Sequence, residues 1–418
     1  MDYSNFKIDM PNDVDFIINT IKSHGHQAYA VGGCVRDSIM GLTPNDWDIT
    51  TSALPSDIKE YFNKTIDTGI EHGTVTVMLH NVGYEVTTYR IDGEYKDGRH
   101  PSSVEFSDRL TDDLCRRDFT INAMAYNNVT GLVDEYGGID DINNRIIKCV
   151  GNPIERFTED ALRMMRAIRF SAQLGFTIDE ATWNAIKKLS PSISKISMER
   201  VHVELGKTLM SAHPDYVAQY SEAGLFAPIL PVIDNALKSR YKRKILATLQ
   251  HTPDNIYLRY AALFITSTPD EAAKTLRALK LDNKTVNTVS KLVELSKMDI
   301  EETEPAVRTA LNKYGRDFLP LWHELMMAVI QASEDITGIS NPAKVKHLLT
   351  LKRLGTDILA RGDCFTIKDL DISGNDLIEY GLQGHEIGET LKSLLDIVIE
   401  NPKLNDKATL IAMIEHIK

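Results

Sequence analysis

The sequence predicts a mixed α/β head followed by an all-helical remainder. Three observations carry this prediction. Between residue 27 and about residue 150, short apolar runs alternate with helical periodicities. The first run, Ala28-Tyr29-Ala30-Val31, ends in Gly32-Gly33, which reads as a strand turning into a helix. Beyond Asn152-Pro153 the strand signals fade and helical spacing dominates to the end.

The elements follow in order. Val14, Ile17, Ile18 and Ile21 recur at helical spacing before Ser23-His24-Gly25 stops them, so residues 1–25 read as a helix. Strands are expected at 27–31, 47–50, 74–79 and 84–89, the last two joined as a hairpin through His80-Asn81-Val82-Gly83. Breaks in the helical part fall at His213-Pro214, 228–231, His251-Thr252-Pro253 and 338–342. A length of 418 residues suits roughly two to four domains. No run of 18 apolar residues is present, and Met1-Asp2-Tyr3-Ser4-Asn5 lacks the basic start of a secretory signal, so neither membrane span nor export is expected. Four cysteines without metal-ligand spacing fit a reducing cytoplasm. A net charge of −12 argues against indiscriminate nucleic-acid binding, though not against a local basic groove. No protein partner is evident.

Chemistry concentrates in four places. Gly32 and Gly33 let a phosphate approach the backbone at a helix start, where the dipole favours negative charge. Asp46 and Asp48 in Asn45-Asp46-Trp47-Asp48 stand at i and i+2 of a strand and so point one way, able to hold a divalent ion or a pair of ions. Glu85, on the second hairpin strand, would complete a three-carboxylate site of the kind magnesium shares with phosphate oxygens and water. Arg116-Arg117-Asp118, ahead of an expected helix, suits a triphosphate or ribose through guanidinium forks.

The fourth is Glu159-Asp160-Ala161-Leu162-Arg163-Met164-Met165-Arg166-Ala167-Ile168-Arg169, read as one helix with Asp160, Arg163, Arg166 and Arg169 on a drifting stripe. A salt-bridged exposed face would give the same spacing. Hydrogen-bond inventory gives a sharper reading. A carboxylate only accepts and a guanidinium only donates. Cytosine and adenine each present an amine beside a ring-nitrogen acceptor, so Asp160 and Arg163 would pair with both and reject uracil and guanine, which reverse the pattern.

G-G-x-V-R-D with D-x-D, then R-R-D-F-T-I-N-A, then E-D-x-x-R-x-x-R, in this order, resemble the bacterial (class II) tRNA nucleotidyltransferases, the CCA-adding enzymes and their poly(A) polymerase relatives. Asp134-Glu135-Tyr136-Gly137-Gly138 resembles the family's hinge motif, Ser197-Met198-Glu199-Arg200-Val201 with Glu204 its last neck motif, and Ile372-Ser373-Gly374-Asn375-Asp376-Leu377 with Gly384-His385-Glu386-Ile387-Gly388 its tail signature. The resemblance implies a polymerase-β-like nucleotidyltransferase head with a mixed sheet (1–150), then an all-α neck (151–212), body (213–298) and tail (299–418). It implies that Asp46 and Asp48 bind Mg2+, with Glu85 as a further catalytic carboxylate. Gly33, Arg36 and Arg117 would contact the nucleotide near its phosphates, Asp160 and Arg163 would read its base, and Arg166 and Arg169 would support that pocket.

The implied activity is template-independent addition of CCA to the tRNA 3′ end from CTP and ATP, with the acceptor stem as partner. A poly(A) polymerase, a partial CC- or A-adding enzyme, or a non-catalytic RNA-binding relative are the alternatives. No adjacent His-Asp pair is present, so the resemblance implies the short type, in which the phosphohydrolase activity of longer members is expected to be absent. The polar loop at 90–106 is retained, and in the family its loss accompanies CC-only addition. Its glycines suit a lever that moves when specificity switches. Phosphate contacts in the helical part are expected from Arg240, Lys242, Arg243 and Lys244, from Lys344, Lys346, His347, Lys352 and Arg353, and from the glycine turn at 381–388.

Overall fold

The computed structural model describes residues 7–93 and 103–417. It divides into two compact units, Met1–Asp234 and Asn235–Lys418. The expected 1–150 head and 151–212 neck both fall inside the first, and the expected tail lies wholly in the second.

The first unit is built on a seven-stranded mixed sheet. Its strands are β1 (Ala28–Val31), β2 (Asp48–Thr51), β3 (Thr65–Gly69), β4 (Thr74–Leu79), β5 (Val82–Thr88), β8 (Ala125–Asn127) and β9 (Gly131–Val133), in the spatial order β3-β4-β5-β2-β1-β8-β9. Only β2 and β5 run parallel. The β4–β5 hairpin turns on His80 and Asn81, both with positive φ (49° and 66°), the pairing that matches the twist of two-residue hairpins. Two further strands, β6 (Arg90–Asp92) and β7 (Val104–Phe106), form a separate antiparallel ribbon. The expected loop at 90–106 is thus paired at both ends, and its residues 94–102 lie outside the described residues.

Helix α1 (Asn12–Ser23) lays Val14, Ile17, Ile18 and Ile21 against the sheet, as its periodicity predicts. Helix α2 (Gly33–Ile39) follows β1 directly, with Gly32 at its cap. Its seven residues put Cys34 and Val35 into the core. Helices α3 (Pro55–Tyr61), α4 (Leu110–Cys115) and α5 (Gly138–Asn143) complete the head.

Helices α6 (Pro153–Glu159), α7 (Leu162–Leu174), α8 (Glu180–Leu189) and α9 (Met198–Leu209) then pack in pairs, α7 on α9 and α6 on α8. They are tied to the head by β10 (Ile146–Ile147) pairing with β11 (Thr177–Ile178). The fully buried Phe119 meets Phe170 of α7 edge-on at 5.8 Å.

The second unit is helical throughout its described residues. Its longest helices, Phe318–Thr337 and Pro342–Arg361, are 20 residues each. Buried Arg308 binds Asp363 at 3.0 Å and the Ile399 carbonyl at 2.6 Å, stapling three segments together. No described helix is long and apolar enough to cross a membrane.

Candidate active site

The parallel pairing of β2 with β5 builds the carboxylate rim. Ile49 lies opposite Val86, so Asp48 stands level with Glu85, one residue earlier on each strand. Asp46 sits two residues upstream of Asp48, outside the strand, and all three side chains reach solvent. Protein crowding around Asp48 raises its carboxyl; Arg117 opposes that rise and Asp46 reinforces it. Glu85 is raised in the same way by desolvation, then by Asp48 and Asp46. Carboxylates that repel one another this way are a hard-oxygen donor set that a divalent cation relieves. Among the described residues no group of three or more His, Cys, Asp or Glu closes into a ready-made metal cage. Such an open rim suits an ion whose shell is completed by phosphate oxygens and water.

Gly32 caps α2 with φ +85°, a conformation L side chains rarely adopt, and a Cβ there would lie 3.0 Å from Arg117 Nη1. The glycine therefore admits a guanidinium against the β1–α2 turn. Gly33 is less constrained: a Cβ on it would make only ordinary contact, 3.7 Å from Arg36 Nη2. Arg36 is buried. It donates to Asp37 at 2.8 Å and to Asn122 at 2.7 Å, and its guanidinium lies 5.2 Å from the centre of the Phe170 ring.

The two arginines of the R-R-D motif are held by a residue the sequence reading missed. Asp113, fully buried in α4, accepts two bonds from Arg116 (2.9 and 2.6 Å), one from Arg117 (3.1 Å) and one from the Thr50 hydroxyl on β2 (3.1 Å). Burial works to raise its carboxyl, but Arg117 and Arg116 outweigh it and the net shift is downward. The spacing was available as a signal, since Asp113 is i−3 from Arg116 and i−4 from Arg117. Arg117 Nε is buried and has no acceptor among the described residues.

After the arginines the chain does not enter the expected helix. It forms a bridge, Phe119 to Cys149, and a single 3-10 turn, Thr120–Asn122. The reason is Asp118, which captures the Phe119 amide (2.9 Å) and Asn122 Nδ2 (3.3 Å) and so bends the backbone locally. Asp118 also accepts from Arg166 Nε at 2.7 Å. Its burial is outweighed by Arg166, then Arg163 and Asn122, and its carboxyl falls to about 2.

The stretch 159–169 corrects a second expectation. It is not one helix: α6 ends at Glu159 and α7 begins at Leu162. Asp160 takes an extended conformation (φ −143°, ψ 106°), and its Oδ1 accepts from the Leu162 amide at 3.0 Å. A short acidic side chain capping the next turn competes with helix continuation. Asp160 therefore leaves the stripe. Arg200 of α9 grips its carboxylate at 3.3 and 2.7 Å.

Arg163 does not pair with Asp160 among these hydrogen bonds. It bonds Glu159 and donates to the carbonyls of Arg156 and Arg116, each at 3.2 Å. Arg169 is buried, donates to Glu204 at 2.5 Å and stacks 3.8 Å from the centre of the Phe170 ring, where Arg166 also lies at 5.4 Å. Burial and the like charge of Arg166 lower Arg169 despite Glu204, whereas Asp118 raises Arg166 against its own desolvation. The hinge motif is bound by Asp134, which accepts from the Gly138 and Ile139 amides at 2.7 and 2.9 Å.

A cavity of about 720 Å3 is lined entirely by the second unit, with Trp322, Met326 and Leu348 beside Lys244, Lys344 and His347. Of the residues expected to meet phosphate, Lys244 from the first stretch and Lys344 and His347 from the second line it.

A mixed-sheet head carrying a carboxylate rim, with helices behind it that present a capped Asp and an Arg, defines a polymerase-β-like nucleotidyltransferase. Sequence families agree. Residues 28–148 match the poly A polymerase head domain, 175–237 a probable RNA and SrmB-binding site of polymerase A, and 257–414 tRNA nucleotidyltransferase domain 2 (putative). The CCA-adding enzyme of Limosilactobacillus fermentum is 36% identical over 402 residues, 94% of each chain. That of Geobacillus sp. is 38% identical over 389 residues, 91% of this chain and 90% of its own. The Ligilactobacillus salivarius enzyme is 52% identical over 198 residues, a stretch that covers about half of either chain (47% of this one, 49% of its own). Among solved structures, the Bacillus stearothermophilus CCA-adding enzyme in complex with CTP superposes with a TM-score of 0.75 at 32% identity over 96% of both chains. The Thermotoga maritima enzyme complexed with tRNA shares the fold, with a TM-score of 0.61 at 20% identity over 100% of this chain and 99% of its own. The chain belongs to the family of CCA-adding enzymes, nucleotidyltransferases that imply a divalent metal.

Proposed function

We propose that this chain adds C, C and A in turn to the 3′ end of tRNA, using CTP and ATP with Mg2+ and releasing pyrophosphate, in the cytoplasm. The observation that carries this reading is the level placement of Asp48 and Glu85 on parallel strands within one compact unit that also holds Asp160 and Arg163. Relatives matched over nine-tenths of their length are called CCA-adding enzymes, and one was solved with CTP.

Asp46, Asp48 and Glu85 would hold the ion, which when bound polarises phosphate oxygens and eases deprotonation of the attacking hydroxyl. Arg117, through Nη1 beside Gly32, would donate to the triphosphate, countering the charge that develops as pyrophosphate departs. Gly33 leaves the backbone open there, and Arg36 keeps the turn in place through Asn122. The 3′-hydroxyl of the tRNA attacks the α-phosphorus, the bond to the pyrophosphate oxygen breaks, and the hydroxyl proton leaves to solvent. Asp160 accepts from the amine of C or A while Arg163 donates to the ring nitrogen; Arg166 and Arg169, braced on Asp118 and Glu204, stiffen the wall around them. Lys244, Lys344 and His347 of the second unit suit the RNA backbone.

The test uses tRNAs ending before, after one and after two C residues, with labelled CTP and ATP supplied separately and together. Growth to C-C-A that then stops is expected. A run of A residues would point instead to a poly(A) polymerase, growth that stalls at C-C to partial addition, and RNA binding without incorporation to a non-catalytic relative.

A further inference from the structure

We propose that Arg200 is a specificity-determining positioning residue. It turns the Asp160 carboxylate so that a single lone pair faces the incoming base, and by doing so it excludes uracil and guanine. The inference rests on the reading that Asp160 recognises the base edge.

Asp160 stands at the junction of two helices, in extended backbone, so its side chain lies outside the stripe of either helix. What fixes it is a set of three donors. Oδ1 receives the Leu162 amide at 3.0 Å and Arg200 Nη1 at 3.3 Å; Oδ2 receives Arg200 Nη2 at 2.7 Å. Each carboxylate oxygen accepts about two hydrogen bonds. Oδ1 is therefore filled, and Oδ2 keeps one vacancy in the plane that the guanidinium fork imposes. The Asp160 side chain retains 14% of its exposure, enough for one edge to be reached.

One acceptor site in one plane matches one amine hydrogen of cytosine or adenine. Uracil and guanine would turn a carbonyl toward that same lone pair, acceptor against acceptor, with nothing able to rotate. Arg163, the second reader, bonds Glu159 and two carbonyls, whereas Arg200 donates through both Nη1 and Nη2 to Asp160, so Arg200 acts through Asp160.

The measurement is single-turnover incorporation of CTP and UTP onto tRNA lacking CCA, and of ATP and GTP onto tRNA ending in C-C. Wild type, Arg200→Gln, Arg200→Lys and Asp160→Asn are compared, with thermal melts to confirm folding. Arg200→Gln is expected to raise the UTP:CTP and GTP:ATP ratios of kcat/KM on the order of tenfold. Arg200→Lys should fall between, since an ammonium cannot bridge both oxygens. Asp160→Asn, whose amide can donate, should raise both ratios too. Unchanged ratios in both Arg200 variants, with relaxed choice in Asp160→Asn, would overturn the inference and leave Arg200 a structural partner only. Unchanged ratios in Asp160→Asn would instead overturn the base-reading role, and this inference with it.

Discussion

Asp118 shows how one buried carboxylate serves both fold and site. It bends the chain after the arginines and anchors Arg166 behind the proposed nucleotide pocket. Its carboxyl sits at about 2 in the folded protein against an ordinary 3.8. The folded value is the lower one, so its contribution to stability is complete above about pH 4 and is lost as pH falls toward 2. That contribution is about 2 kcal/mol. Acid unfolding should show it: in Asp118→Asn the loss of stability between pH 4 and 2 should be shallower than in wild type. Identical acid limbs would show that Asp118 is not held ionised by Arg166. Asp113 illustrates what single residues conceal. Its spacing to Arg116 and Arg117 hints at a pair, but only its burial beneath Arg116, Arg117 and Thr50 makes it the residue that aims both arginines.

At the scale of elements, periodic segments were legible and junctions were not. The helix α1, the β4–β5 hairpin and the Gly32 turn follow from spacing and turn chemistry alone. Strands β3, β8 and β9 escaped, because three- to five-residue runs that gain stability only from sheet neighbours carry little pattern of their own. The break at Asp160 escaped because every residue from 159 to 169 suits a helix, and the cap that interrupts it depends on Arg200 from another helix. The hinge motif offers a contrast between adjacent glycines. A Cβ on Gly138 would lie 2.5 Å from the Thr120 carbonyl, which is backbone and cannot swing away, whereas Gly137 faces open space at φ +74°. Gly138→Ala should cost about 1–3 kcal/mol through overpacking. Gly137→Ala should cost about 1 kcal/mol through its left-handed backbone alone. Denaturant melts that rank the two the other way would contradict the close approach.

Across the whole molecule, the cysteines report on how the cores close. Cys34, Cys149 and Cys364 are buried, and burial pushes their thiols to about 11, 12 and 11; Cys115 is exposed. A thiol reagent at pH 8 should modify one cysteine quickly in the native protein and four after denaturation. A second fast thiol would mean that one of these cores opens. The division into two units was only partly legible. The change at Asn152-Pro153 marks where strands give way to helices, but α6 to α9 pack with the head, and the structural boundary falls at residue 234, inside the helix Pro231–Lys238, where no change of composition marks it. Under the proposed function, chemistry and choice are set apart: the rim of Asp46, Asp48 and Glu85 would transfer the nucleotide, and the α6–α7 junction would select it. One assay tests that separation most directly, incorporation of all four nucleotides by Asp46→Asn and Asp160→Asn with tRNA binding measured in parallel. Asp46→Asn should abolish every incorporation while tRNA binding persists, and Asp160→Asn should continue to transfer nucleotides but admit UTP. Retained transfer in Asp46→Asn, or undiminished rejection of UTP in Asp160→Asn, would contradict the account.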